Sequence, residues 1–298
     1  MENMKKIIWI SVGLMIVLVI LGIGFPYYYL STNRTYQRVS IPANGYELNG
    51  YLSIGSEPEG LWIILTHGNR KIGQSHELYR QIRENLPNQY SVLAIDFRGF
   101  GESSNVGLEQ SKKIIDRIID IESAVKFLNH NSGVREDQIV LIGHSLGASQ
   151  VMSAAVDHEY RQVIPIGLGD WDSVLADPKK IESYSQKYFA NTGVLVSANR
   201  ILAEGKQFST KSLFANCPDT PVWLIFSSRD DGLEPLSPIL RKAHALCGQS
   251  LQWSIIPFAN HMYGTEIGRL PDSLAKIVSR INLSFLMMRL NHILYGIQ

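Results

Sequence analysis

The sequence predicts an α/β fold: a mostly parallel central sheet of about eight strands with helices on both faces. Three observations predict it. Short apolar runs recur at residues 61–66, 91–96, 138–142 and 222–227, and a run apolar on both faces suits a strand covered on both sides. Helically spaced stretches lie between these runs, as crossovers between parallel strands require. The third run passes directly into Gly143-His144-Ser145-Leu146-Gly147-Ala148, which has the G-x-S-x-G form of a sharp strand-to-helix turn.

Taken in order, residues 36–41 and 46–52 read as two strands joined around Pro42-Ala43-Asn44-Gly45, where Asn-Gly signals a tight hairpin. The covered strand 61–66 comes next and ends in His67-Gly68-Asn69. A helix is expected over 75–86, with Ser75 as N-cap and Pro87 as its stop. Strand 91–96 leads into Phe97-Arg98-Gly99-Phe100-Gly101-Glu102-Ser103. Residues 108–130 space Ile114, Ile118, Ile121, Val125 and Leu128 as a helix lying on a sheet would. After strand 138–142 comes a helix over about 146–156, whose Ala148, Ala154 and Ala155 allow close approach to the sheet. A strand at 162–167, another at 222–227, a helix at 238–246 and a last strand at 252–256 continue the alternation.

Two segments break the rhythm. Residues 170–220 carry Trp171, Tyr184, Tyr188 and Phe189 in a polar, helical-looking insertion; insertions of this length in compact domains are often lids or binding elements, and a small helical cap is expected. The carboxyl-terminal stretch 272–297 reads as a helix with a broad apolar face, packed on the sheet or touching a membrane surface.

The amino terminus is different again. Residues 7–25 hold no charge and come after Lys5 and Lys6. As a helix they span roughly 28 Å, close to the hydrocarbon thickness of a bilayer. Pro26 and Tyr27-Tyr28-Tyr29 succeed them, as in an interfacial belt. A cleaved signal would end in small residues, and Gly22-Ile23-Gly24 matches such a site poorly. The expected organisation is a tail and transmembrane anchor over 1–30, then one domain over 31–298. Charges flanking the anchor are nearly balanced; the two lysines lie closer to it, which places the domain outside the cytoplasm.

Composition excludes some partners. Lys+Arg 28 against Asp+Glu 27 leaves almost no net charge and there is no long basic run, so no nucleic-acid partner is expected. Cys217 and Cys247 are too few for a disulfide framework and lack metal spacing. They read as ordinary thiols, with one disulfide the alternative in an oxidising compartment. No His-Glu-x-x-His pattern suggests a metal.

A G-x-S-x-G alone occurs by chance in a chain this long roughly one time in ten, so its meaning depends on the residues downstream. A serine hydroxyl needs a base, and the base a carboxylate to orient it. In a fold of this kind the order should be Ser, then Asp or Glu, then His. Ser227-Ser228-Arg229-Asp230-Asp231 begins where a buried strand ends, and Asn260-His261-Met262 lies just past the last strand. Both would project from the carboxyl edge of the sheet, with Ser145. Asp230, nine residues after Pro221, is the expected acid, with Asp231 the alternative. The oxyanion formed on an attacked acyl carbon needs two preorganised donors: the backbone N–H of Leu146 and that of Asn69. His67 precedes Ser145 in the donor loop and reads as structural.

On these residues, positions 36–290 resemble the α/β-hydrolase superfamily, in its serine esterase and lipase-like branch. The resemblance rests on His67-Gly68, the segment 96–103, Gly143-His144-Ser145-Leu146-Gly147-Ala148, Asp230 and His261, in that order. It implies the α/β-hydrolase fold, a serine nucleophile, an acyl-enzyme intermediate and no cofactor, with Asp96 and Arg98 structural. One departure is Ser227-Ser228, where the turn before the acid usually carries Gly. The implied activity is hydrolysis of a carboxylic ester of a small, lipid-like or other acyl substrate. An aminopeptidase, an acyltransferase or a non-catalytic binding module on the same fold are the alternatives; Asp170, Asp172 and Asp177 mark no clear site for a substrate amino group.

Overall fold

In a computed structural model the described residues are 34–84, 86–103, 116–156, 158–193, 195–215, 220–227, 236–247, 251–256 and 260–262. The expected anchor at 7–25, Asp230, Asp231, Cys217 and the helix expected over 272–297 lie outside them. Among the described residues, no helix is long and apolar enough to cross a membrane.

The expected fold class is borne out. Eight strands form one sheet in the order β1-β2-β4-β3-β5-β6-β7-β8. They are β1 Gln37–Ala43, β2 Tyr46–Ser53, β3 Trp62–Thr66, β4 Ser91–Ile95, β5 Ile139–His144, β6 Gln162–Ile166, β7 Val222–Ser227 and β8 Leu251–Ile256. β1, β2 and β4 pair antiparallel, and every pairing from β4 through β8 is parallel. The β1–β2 turn holds Asn44 at φ 50° and Gly45 at φ 84°, the two positive values that a type I′ hairpin needs.

Helices α1 Glu77–Glu84, α2 Asp116–Ser132 and α3 Leu146–Ala154 come after β3, β4 and β5. Between β6 and β7 lie α4 Trp171–Ala176, α5 Pro178–Thr192, α6 Ala198–Gly205 and α7 Thr210–Ala215, and α8 Leu236–Cys247 precedes β8. The strand period of two divides the core cleanly. Trp62, Ile64, Leu93, Ile95, Ile139, Leu141, Leu224 and Phe226 face one cluster, with α2 and α3. Ile63, Leu65, Val92, Ala94, Val140, Ile142, Trp223 and Ile225 face the other, under Leu78, Tyr79 and Ile82 of α1.

Two expectations need correction. Ser75 does not cap α1; it ends a 3-10 turn, Gly73–Ser75. Long-range bonds draw that segment onto the sheet: the Gln74 N–H donates to Asp96 Oδ1 at 2.6 Å, and its amide donates to the carbonyls of Leu65 and Ile95. Nor is Cys247 an ordinary thiol. It is disulfide-bonded, and the chain's one other cysteine is Cys217. Its position at the end of α8, partly buried against the core, is not legible from spacing alone.

Candidate active site

The site gathers at the carboxyl ends of β3, β5 and β8. β3 and β5 are parallel neighbours, with Thr66 opposite Gly143, so the loop after β3 and the turn after β5 emerge side by side. That turn is tight. Ser145 sits at φ 55°, ψ −119°, a conformation costing a non-glycine residue about 1–3 kcal/mol. Its N–H donates to the Ile166 carbonyl of β6 at 2.8 Å. A Cβ at Gly143 would lie 2.3 Å from the Gly147 carbonyl oxygen, and one at Gly147 would lie 2.6 Å from that of His67. Both glycines are therefore required: the first lets α3 start against its own strand, the second lets it pass the β3 loop.

β8 lies three positions from β5, so a residue beyond it must return about 14 Å across the sheet to reach Ser145. His261 makes that return. Its Nε2 lies 2.8 Å from Ser145 Oγ, and its ring borders Gly167, just past β6, where an added Cβ would lie 3.5 Å from it. The structure thus brings Ser145 and His261 together, while Asp230 and Asp231 fall outside the described residues.

His144, the second residue of the turn, was not singled out by sequence reasoning, and neither was Tyr79. The Tyr79 hydroxyl lies 3.0 Å from His144 Nδ1 and accepts the Gly68 N–H at 2.8 Å. His144 Nε2 lies 2.8 Å from the backbone oxygen of His261. The signal available in sequence was a histidine at the variable position of G-x-S-x-G; Tyr79 left none, because its contact is made across the fold.

Leu146 opens α3, so the helix offers its N–H no partner four residues back. No hydrogen bond of the Asn69 N–H is found among the described residues. Asn69 is instead held by its side chain: Arg117 donates to Oδ1 at 3.0 Å, and Nδ2 donates to the Tyr184 hydroxyl at 3.3 Å. Arg117 is itself buried, lies 4.6 Å from the Phe100 ring centroid and donates to the Tyr188 hydroxyl. Two further bonds join this loop to the end of α5: Arg70 to Asn191 Oδ1 at 2.8 Å, and the Lys71 N–H to the Asn191 carbonyl.

His67 is fully buried, and burial pushes its imidazole down to about 3. Its Nε2 accepts the Phe97 N–H at 3.0 Å, so Nδ1 carries the proton donated to the Gly68 carbonyl. It braces the loop and has no free nitrogen for a substrate. Asp96 accepts from Gln74, Asn49 and Glu102. Arg98 pairs with buried Asp120, its Nε 2.8 Å from Oδ1. All three are braces. Among the described residues, no cluster of three His, Cys, Asp or Glu side chains could hold a metal.

A serine oxygen facing an imidazole nitrogen at 2.8 Å can take part in acyl transfer. Comparison with known proteins agrees with this geometry at the level of fold. Est1E from Butyrivibrio proteoclasticus superposes with a TM-score of 0.61 at 15% identity, covering 84% of this chain and 99% of that one. The esterase Pf2001 of Pyrococcus furiosus does so at 0.58 and 18%, covering 82% and 90%. An alpha-beta serine hydrolase homologue from Coxiella burnetii does so at 0.56 and 17%, covering 85% and 98%. Among curated sequences, the uncharacterized protein YfhR of Salmonella typhimurium is 34% identical over 97 residues, 32% of this chain and 30% of that protein. YfhR of Escherichia coli K12 is 25% identical over 169 residues, 56% and 52%. The matches thus span about a third to a half of the length of these curated relatives. The sequence pattern of the alpha/beta hydrolase family matches residues 63–279, from β3 past His261, and the chain belongs to that family.

Proposed function

We propose that the protein is a serine hydrolase that cleaves a carboxylic ester through an acyl-enzyme intermediate. The observation that carries this reading is the 2.8 Å contact between His261 Nε2 and the Oγ of Ser145, on a turn that holds Ser145 at φ 55°, ψ −119°. In the mechanism His261 takes the hydroxyl proton as Ser145 Oγ attacks the acyl carbon. The N–H groups of Leu146 and Asn69 receive the oxyanion, and the protonated His261 returns its proton to the departing alcohol. Water then attacks the acyl-serine with His261 again as base. Asp230 orients His261 and stabilises its imidazolium. The insertion between β6 and β7, tied to Asn69 through Tyr184 and rich in aromatic side chains, supports a cap over an apolar acyl group. Residues 7–25 act as a membrane anchor that leaves the catalytic domain extracytoplasmic; carbonate-resistant membrane fractionation of the full chain against a chain lacking 1–30 tests this.

Substituting Ser145→Ala should lower turnover of short p-nitrophenyl esters by about four orders of magnitude or more. Unchanged turnover would sink the reading. A chain-length panel of acyl esters then measures the acyl group preferred.

A further inference from the structure

Four groups beneath the nucleophile form one hydrogen-bonded line: the Gly68 N–H, the Tyr79 hydroxyl, the His144 ring and the His261 carbonyl. A backbone N–H can only donate and a backbone carbonyl can only accept. The His261 carbonyl can only accept, so His144 carries a hydrogen on Nε2 and donates it there. In the neutral ring Nδ1 is then an acceptor, and the Tyr79 hydroxyl, whose oxygen takes the Gly68 N–H, donates its proton to it. The carbonyl end and a neutral His144 together set the direction of the line.

We propose that Tyr79 and His144 are positioning residues that set the place of His261 by gripping its backbone and tie that place to the loop bearing Asn69. This rests on the hydrolase reading above. The line has three properties suited to the task. Its middle is sealed from water, with Tyr79 at 0% and His144 at 1% exposure, so solvent does not compete for its bonds. His144 is the neighbour of Ser145 in the chain, so the grip on the base is anchored within the nucleophile's own turn. And the residue gripped comes after the strand farthest from that turn on its side of the sheet, where a free loop would hold an imidazole least well. The neutral form of His144 is kept by burial first, and by the charges facing it: His261, His76 and Arg70 all disfavour a second proton there. A protonated His144 would have no lone pair for Tyr79.

The test uses the full chain and p-nitrophenyl esters, with Ser145→Ala as the reference for loss of chemistry. His144→Leu, which removes both bonds, should lower kcat about 100-fold with KM within about threefold, the scale expected when a catalytic group shifts by roughly 1 Å. His144→Gln, whose amide N–H can reach the same carbonyl, should recover most of that loss. Tyr79→Phe should cost about tenfold in kcat. In each folded variant a fluorophosphonate probe should still titrate one site per chain, at a slower rate; a variant that was merely misfolded would lose stoichiometry instead. Nitrogen NMR of the unsubstituted protein should show His144 protonated on Nε2 alone at pH 7. Tyr79→Phe with wild-type kcat, or an Nδ1–H tautomer or imidazolium at His144, overturns the proposal even if His144→Leu does not fold. A wild-type protein that neither turns over ester nor takes the probe removes the hydrolase reading itself, whatever the tautomer proves to be.

Discussion

His67 and His144 are imidazoles that the native fold keeps neutral and the unfolded chain does not. Burial depresses both, His67 to about 3 and His144 well below its ordinary value. Unfolded, each titrates near 6.5. Below that pH the unfolded chain binds protons that the native state refuses, so acid favours unfolding; above it the difference vanishes. Each group contributes a slope of up to about 1.4 kcal/mol per pH unit, and partly buried His76 adds in the same direction. Asp96 and Asp120, whose carboxyls burial pushes up, take their protons early in the native state and oppose the trend as acid deepens. The expected outcome is a flat unfolding free energy from pH 8 to 7 and a fall between about 6.5 and 5, read by denaturant titration at a series of pH values. Constant stability down to pH 5 would contradict the neutral assignments.

At the scale of elements, the loop after β3 is joined to α5 at two places: near the middle of the helix by Asn69 and Tyr184, near its end by Arg70, Lys71 and Asn191. Arg117 of α2 reaches both sides of the first junction, touching Asn69 and Tyr188. Held by these bonds, the loop after β3 is coupled to the insertion. Arg117→Met keeps much of the apolar stem but removes the bond to Asn69 Oδ1, leaving Asn69 held through Tyr184 alone, and should lower kcat by about tenfold on short esters, which need little help from the insertion for binding. Steady-state kinetics on acetate and butyrate esters check it; an effect confined to KM would assign Arg117 to substrate binding instead. None of these contacts was legible in the sequence. Asn69 could be placed by its position after a covered strand, but its side-chain partners sit 48 and 115 residues away, and no local period encodes such a pairing.

For the whole molecule, the same distinction between local and distant causes separates the legible features from the rest. The covered strands announced themselves because residues such as Ile63 and Ile64 must be apolar on both faces, and the turn at Ser145 because two glycines are demanded by close approach. His261 could be read because topology limits where a third partner can emerge. The 3-10 turn at 73–75 could not, since Asp96 and the sheet carbonyls create it, and neither could the role of His144. β8 is one of the two edge strands among the described residues, paired on one side to β7, with Trp253 52% exposed and Ile255 39% exposed. His261 hangs from it, whereas Ser145 succeeds a strand flanked on both sides. Edges open before centres, so the proposed activity should be lost on heating while the core is still intact. The midpoint of thermal inactivation is expected several degrees below the melting transition seen by circular dichroism, with a change in Trp253 fluorescence accompanying the earlier event. Rapid recovery of activity on cooling from between the two temperatures would mark the edge strand as the part that had let go.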